Sequence, residues 1–320
     1  MKKENKKLKT LYLIAPCYNE EQVLPLTYSI FTNKLKDLIE QKRINKDSKV
    51  LFVDDGSLDN TWNIIKVLSK NNSAIIGASL SRNRGHQNAL LAGLLEAKDK
   101  CDVTITLDCD GQHDINAVDE MLNQYMNGYD VVYGIRNNRT GDSTFKKFCS
   151  ELYYKLINAL GGEVIVNHAD YRLVSSRVLK EFSNYKEVNI FLRGMFPLVG
   201  FKSTTIHYNQ LDRQAGKSHY SINKMFTLAI DGITSLSIKP IRIITCFGLL
   251  VTFLSFIEII YTIVSYFSGN TVQGWASMTC IICFVSGIQL ISLGVIGEYV
   301  GKTYMETKHR PRYIISERTY

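Results

Sequence analysis

Five short apolar runs punctuate the first half of the chain, and longer amphipathic stretches of helical spacing fill the gaps between them. "LYLIA" (11–15), "KVLFV" (49–53), "AIIGASL" (74–80), "DVTITL" (102–107) and "DVVYGI" (130–135) have strand length. Several are nearly all apolar, as strands buried on both faces should be. The βαβ rhythm predicts an α/β domain with a mostly parallel, Rossmann-like sheet and helices on both sides. Ligands of such sheets gather beyond the carboxyl ends of the strands. The polar clusters "PCYNE", "DDGSLDNT", "SRNRG" and "DCDGQHD" each follow one of the first four runs. Four clusters on one edge predict one site.

From Ile238 the pattern changes. Residues 240–267 carry only Arg242 and Glu258 as charges and exceed the roughly 20 residues that a bilayer requires. After the uncharged "SGNTVQG", a second run from Trp275 to about residue 298 can return. Lys239 and Arg242 flank the first run, while Lys302, Lys308, Arg310 and Arg312 follow the second. The excess of basic residues on that side predicts a multi-pass protein of the inner (plasma) membrane, with the catalytic domain and both termini cytoplasmic. The formal charge is +8, and Lys2, Lys3, Lys6, Lys7 and Lys9 oppose only Glu4 in the first ten residues. With two such apolar runs present, that charge points to an anionic membrane surface and not to nucleic acid. No signal peptide is expected, because only the short run 11–15 follows the basic start.

The expected organisation is a catalytic domain over 1–217, an interfacial amphipathic segment over 218–238, a transmembrane hairpin over 239–300 and a basic tail over 301–320. The interfacial segment rests on the spacing of Ile222, Met225, Phe226, Ala229, Ile230 and Ile233, which also suits a core helix. Glu258, inside the first run, should face another helix or a subunit. Seven scattered cysteines suit reduced thiols, with Cys280 and Cys283 as packing residues.

Chemistry concentrates in "TLDCDGQHD", with three aspartates in seven positions. Residues two apart on an extended exit point the same way, so Asp108 and Asp110 suit Mg²⁺ or Mn²⁺, with substrate phosphates and water completing the shell. A solvated turn is the bland alternative. Asp114 could cap the next helix, and His113 is a hydrogen-bonding neighbour. In "DDGSLDNT", Gly56 turns the chain, Ser57 or Asp59 can cap a helix, and Asp54 could accept hydrogen bonds from a nucleobase or ribose.

These four clusters, in this order and spacing, resemble the nucleotide-sugar domain of family-two inverting glycosyltransferases of the glycosyltransferase A type. "YGIRNNR" (133–139), "ADYRL" (169–173), "RQAGKSHY" (213–220) and "GEYVGKTYMETKHRPRY" (297–313) narrow the resemblance to the polyprenyl-phosphate glycosyltransferases, over roughly residues 10–313. The processive synthases' Gln-x-x-Arg-Trp motif is absent, since neither Trp62 nor Trp275 follows an arginine.

The resemblance implies a nucleotide pocket lined by Pro16, Tyr18, Glu20 and Asp54, with Arg213 closing over phosphate, and a metal held by Asp108, Asp110 and Gln112. It places Arg136 and Arg139 near the acceptor phosphate. Asp170 is its candidate base, and Arg172 offers another guanidinium fork; an ion pair between these two is the structural alternative. The implied partners are a nucleoside-diphosphate sugar, polyprenyl (undecaprenyl) phosphate, the lipid bilayer, a second copy of the chain in a homo-oligomer, a flippase and a later glycosyltransferase. A glycan, protein or glycerolipid acceptor, or an inactive membrane scaffold, are the competing functions.

Overall fold

The computed structural model describes residues 8–137, 168–211, 234, 237–268 and 274–320. The five expected strands form within two residues of their predicted bounds: β1 (Leu11–Cys17), β2 (Lys49–Asp54), β3 (Ile75–Leu80), β4 (Val103–Thr106) and β5 (Val131–Arg136). Between them lie α1 (Leu24–Glu40), α2 (Thr61–Asn71), α3 (His86–Ala97) and α4 (Ala117–Met126). Every residue of β1 is buried, and alternate side chains divide between two cores. Leu11, Leu13 and Ala15 meet Phe31, Leu35 and Leu38 of α1 and Met121 of α4, all in one cluster. Tyr12 and Ile14 join Leu90, Leu91 and Leu94 of α3 in the other. Such burial is worth about 1.5–3 kcal/mol per large apolar side chain. Gly93 lets α3 approach closely, since a Cβ there would lie 2.5 Å from Ile14 Cγ2 and 2.8 Å from Val53 Cγ2.

Three further strands, β6 (His168–Ser175), β7 (Ser203–Tyr208) and β8 (Ile315–Arg318), bring the sheet to eight, in the order β7-β5-β6-β4-β1-β2-β3-β8. β6 runs antiparallel to β4 and β5, and β8 antiparallel to β3; the other pairs are parallel. The strand order reverses about β1, whose neighbours are β2 and β4, so the crevice of this doubly wound fold opens beyond the ends of β1 and β4. The short helices α5 (Ser176–Phe182) and α6 (Leu192–Leu198) follow β6. Ser175 caps α5 by accepting from Val178 N at 3.3 Å.

Both helices of the expected hairpin form: α7 (Lys239–Phe267) and α8 (Trp275–Thr307). At 1.5 Å per residue they measure roughly 44 and 50 Å, more than the ~30 Å hydrocarbon core. Among the described residues many of their apolar side chains are exposed: Phe253 is 65% exposed, Leu290 70% and Leu293 63%. Among the described residues, Phe284–Thr307 is the stretch long and apolar enough to cross a membrane. The helix itself continues to Thr307, through Lys302 and Glu306, beyond the expected end of the apolar run near residue 298.

The segment 301–320 is not a tail. Its first residues belong to α8, and β8 completes an edge of the eight-stranded sheet. Trp62 Nε1 donates to Glu317 Oε2 at 2.8 Å, and Arg318 and Tyr320 both bond Glu96 of α3. β8 carries Glu317 and Arg318, so its polarity, read as that of a tail, suits an edge strand exposed on one side. The interfacial helix expected over 218–238 lies outside the described residues, apart from Thr234, Ser237 and Ile238, as do the side chains of Glu258, Cys280 and Cys283.

Candidate active site

The loops after β1 and β2 interlock through side chains that accept each other's backbone N–H groups. Asn19 N donates to Ser57 Oγ at 3.0 Å, Leu58 N returns to Asn19 Oδ1 at 2.9 Å, and Glu20 N reaches Thr61 Oγ1 at 2.9 Å. Asn19 has a φ of 54°, a left-handed conformation that asparagine tolerates. Gly56, at φ 64°, is fixed more strictly, because a Cβ there would stand 2.4 Å from the Arg82 carbonyl carbon. The second loop therefore packs backbone to backbone against the third.

Two buried aspartates hold these loops at the end of β2. Asp54 accepts from Ser57 N at 3.1 Å and from Ser79 Oγ at 2.7 Å. Asp55 accepts from Arg84 N at 2.7 Å and Gly85 N at 2.9 Å. Burial raises the Asp55 pKa, against the opposing pull of those two amides. Pro16 is buried at the end of β1, while Tyr18 is 36% exposed and Glu20 partly exposed beside it. The expected nucleotide-pocket residues Pro16, Tyr18, Glu20 and Asp54 thus sit on adjoining strand ends. Arg213 lies outside the described residues.

The second half of the site follows from strand register. Thr106 of β4 pairs with Arg172 of β6, and continuing that antiparallel register by two residues sets Asp108 opposite Asp170. His86, at the start of α3, stands between them: its Nε2 lies 3.5 Å from Asp170 Oδ2 and 3.8 Å from Asp108 Oδ1. Burial opposes a charge on His86, but the bond to Asp170 and the charge of Asp108 outweigh it and raise its pKa.

Asp170 is ringed by donors. Arg172 Nη2 lies 2.5 Å from Oδ1, Arg193 Nη2 3.0 Å from Oδ2, and Gln87 Nε2 3.3 Å from Oδ2. Burial works to raise its pKa; Arg193, His86 and Arg172 overcome that and hold the carboxyl well below the usual carboxylate range. Arg172 is fully buried, donates from Nη1 to Leu192 O at 3.0 Å and lies over the Phe196 ring at 4.8 Å. It is therefore the internal partner of Asp170 and not a fork open to phosphate. The partly exposed guanidinium at Asp170 is Arg193.

Around Asp110, the chain turns through Gly111 at φ 73°. Asp110 is buried and its Oδ1 accepts from Gln112 N at 3.0 Å. Asp108 keeps its side chain 30% exposed, and its N–H donates to His113 Nδ1 at 3.0 Å. That bond requires an unprotonated Nδ1, and burial lowers the His113 pKa in agreement. His113 stacks on Tyr171 at 4.7 Å, and its buried Nε2, which has no hydrogen-bond partner among the described residues, lies 3.6 Å from Asp108 Oδ2. Among the described residues no group of three or more His, Cys, Asp or Glu side chains is arranged to hold a metal ion. A cation here has two hard carboxylates on offer, which suits Mg²⁺ or Mn²⁺ completed by substrate oxygens and water. Arg136, at the end of β5, donates from Nε to Tyr208 Oη at 3.2 Å; Arg139 lies outside the described residues.

Sequence reasoning left out Arg193, His86, Gln87 and Asp55. His86 and Gln87 stand within "SRNRGHQNALLAGL" and Asp55 within "DDGSLDNT", so their place at strand ends was a usable signal. Arg193 had none, because its position depends on where α6 packs.

Residues 12–183 match glycosyl transferase family 2, and residues 239–303 match the GtrB C-terminal hairpin. The chain is 44% identical over 305 residues to the uncharacterized glycosyltransferase YkoT of Bacillus subtilis, covering 95% of this chain and 90% of that protein. It is 36% identical to the prophage bactoprenol glucosyl transferase homolog of Escherichia coli, covering 95% and 97%. It is also 36% identical to the bactoprenol glucosyl transferase of Shigella phage SfX, covering 96% and 98%.

Proposed function

The chain belongs to glycosyl transferase family 2, and from that premise we propose that it transfers a single sugar from a nucleoside diphosphate, UDP in our reading, to undecaprenyl or another polyprenyl phosphate, with inversion at the anomeric carbon. The observation that carries the reading is the union, in one chain, of the Asp108–His86–Asp170 centre with a long apolar helix left unburied by protein. The bactoprenol names of relatives similar over nearly the whole chain supply the acceptor class.

Pro16, Tyr18, Glu20 and Asp54 line the base and ribose pocket. The hydrogen bonds that Asp54 accepts from Ser57 and Ser79 fix its carboxylate, so the pocket is organised before the nucleotide arrives. Asp108 and Asp110, with Gln112 beside them, hold the divalent ion. When bound, that ion stabilises the nucleoside-diphosphate leaving group. Arg213 closes over the donor phosphates, while Arg136 and Arg139 attract the acceptor phosphate.

The nucleophile needs positioning more than deprotonation, because a phosphate monoester has a second pKa near ~6 and is largely ionised at neutral pH. Asp170 suits that requirement. A carboxylate held below its usual range by Arg193, His86 and Arg172 is a poor proton acceptor and a good anchor. Its task is to orient Arg193 and His86 at the reacting edge, and Arg172 keeps it in place from within the core.

The apolar hairpin makes physical sense for this acceptor. Withdrawing an isoprenoid tail into water costs roughly 0.8 kcal/mol for each methylene-sized group, so the enzyme must come to the phosphate. In this reading both α7 and α8 span the membrane, and the catalytic domain and both termini are cytoplasmic. A homo-oligomer, a flippase and a later glycosyltransferase acting on the product complete the proposal. The test is an acceptor exchange: detergent-solubilised protein with labelled UDP-sugar and Mn²⁺ should label polyprenyl phosphate. It should leave glycans, proteins and diacylglycerol unlabelled, and label in any of these instead would refute the acceptor assignment.

A further inference from the structure

Two residues of the C-terminal motif "GEYVGKTYMETKHRPRY", remote in sequence from Asp108 and Asp170, grip the loop that leads into the active site. Glu306, in the last turn of α8, accepts through one oxygen, Oε1, from Val188 N at 2.7 Å and Asn189 N at 3.1 Å. Arg312 donates from Nη2 to Tyr185 O, and the Tyr185 ring stacks on Phe182 at 5.5 Å. Four residues beyond Asn189, Arg193 meets Asp170. The far end of the loop is tied to the active centre itself, since Leu192 N donates to Gln87 Oε1 at 3.1 Å and Leu192 O accepts from Arg172.

The chain leaving α8 then reaches the other side of the site. Ile314 O accepts from Ser81 N at 2.9 Å, where the loop that leads through Gly85 to His86 begins, and β8 continues along β3. Both segments that flank Asp170 therefore lean on chain emerging directly from the helix with the unburied apolar stretch. Hydrogen bonds to an ionised carboxylate are about twice as strong as neutral ones, and a misplacement of about 1 Å at reacting groups can cost ~100-fold in rate.

We infer that Glu306 is a positioning residue, which fixes the loop 185–191 and through it sets Arg193 against Asp170, so that the seating of α8 governs the geometry of the active site. The kinetic consequence rests on the glycosyl-transfer reading; the mechanical coupling does not. Removing the carboxylate frees two loop amides and lets Arg193 drift, while the donor pocket, on the opposite strands β1 and β2, keeps its hydrogen bonds.

The test uses the full chain in lipid nanodiscs. By hydrogen exchange, Glu306→Ala should speed exchange over residues 186–193 about 10-fold or more and leave β1 and β2 unchanged. Glu306→Gln, whose amide oxygen can accept the same two bonds, should stay near wild type. Unchanged exchange over 186–193 in Glu306→Ala overturns the coupling. In transfer assays Glu306→Ala should lower kcat about 10- to 100-fold with little change in donor KM, and should add nothing to Arg193→Ala. Full additivity of the two substitutions overturns the claim that Glu306 acts through Arg193. A wild-type protein that transfers no sugar to lipid would sink the functional reading alone, and exchange would still decide the coupling.

Discussion

Arg193 and Asp170, 23 positions apart, meet with Nη2 3.0 Å from Oδ2, and this pair turns the buried carboxylate toward the open edge of the sheet. Arg172 holds the same carboxylate from the core side at 2.5 Å. One anion thus links the hydrophobic core to the proposed reaction centre.

That link makes Asp170 structural as well as functional. Asp170→Ala leaves Arg172 fully buried without its counter-charge, a loss worth about 3–5 kcal/mol. Urea denaturation should therefore show a sharp drop in stability. Arg193→Ala, which removes a partly exposed partner, should reduce activity with a much smaller stability change. Equal stability losses in the two variants would contradict the division of labour.

The two proposed metal ligands, Asp108 and Asp110, should separate by the same measurements. Asp108→Asn and Asp110→Asn are each expected to lose most transfer activity at limiting Mn²⁺, since a hard anionic ligand is removed. Asp110 is buried and accepts from Gln112 N, whereas Asp108 is 30% exposed. Alanine separates them further: only Asp110→Ala, which removes that buried acceptor, should also lower the thermal midpoint. Near-normal turnover in either variant at limiting metal would remove that residue from the metal site.

Acid should release the C-terminal strand. Bonds from Arg318, then Tyr320, hold Glu96 at a pKa of about 2, below its usual 4.5, in spite of burial. A depressed carboxylate pKa gives stability that is fully present above 4.5 and is lost as pH falls toward 2. Limited proteolysis should find residues 308–320 protected at pH 6 and progressively cleaved below pH 4.5, and Glu96→Gln should expose them at pH 6. Protection unchanged down to pH 2 would contradict the role of this clamp.

Removing the hairpin by truncation cannot isolate its role in the membrane. Cutting before Ile238 removes the hairpin but also β8, the partner of Trp62 and the loop contacts of Glu306 and Arg312. Deleting only residues 313–320 should lower the thermal midpoint by several degrees and expose an unpaired edge at β3. An unchanged midpoint would show that β8 is dispensable.

Much of this architecture was legible in the chain. The buried strands β1 to β5 announce themselves because each is a short apolar run followed by a turn cluster, and the hairpin because both of its apolar runs reach the roughly 20 residues that a bilayer requires. β6 was hidden by its chemistry, since "ADYRL" puts Asp170 and Arg172 into a buried strand where only their mutual pairing makes burial tolerable. β8 was hidden by its charge, which reads as a tail until β3 supplies the other half of the ladder. The site divided in the same way: Asp54, Asp108 and Asp110 follow apolar runs, while Arg193 depends on tertiary packing. The buried ion pair with Asp170 accounts for Arg172, which could equally have been a phosphate fork.

The central claim is tested most directly by the product. Incubating the full-length protein with undecaprenyl phosphate, Mn²⁺ and each of a panel of nucleoside-diphosphate sugars, then analysing the organic extract by mass spectrometry and NMR, reads lipid, sugar count and anomer together. One donor should give a lipid of one added hexose-type unit, with the configuration at the anomeric carbon opposite to that of the donor. A full panel that yields no lipid-linked sugar, or a product with several sugars or retained configuration, would contradict it.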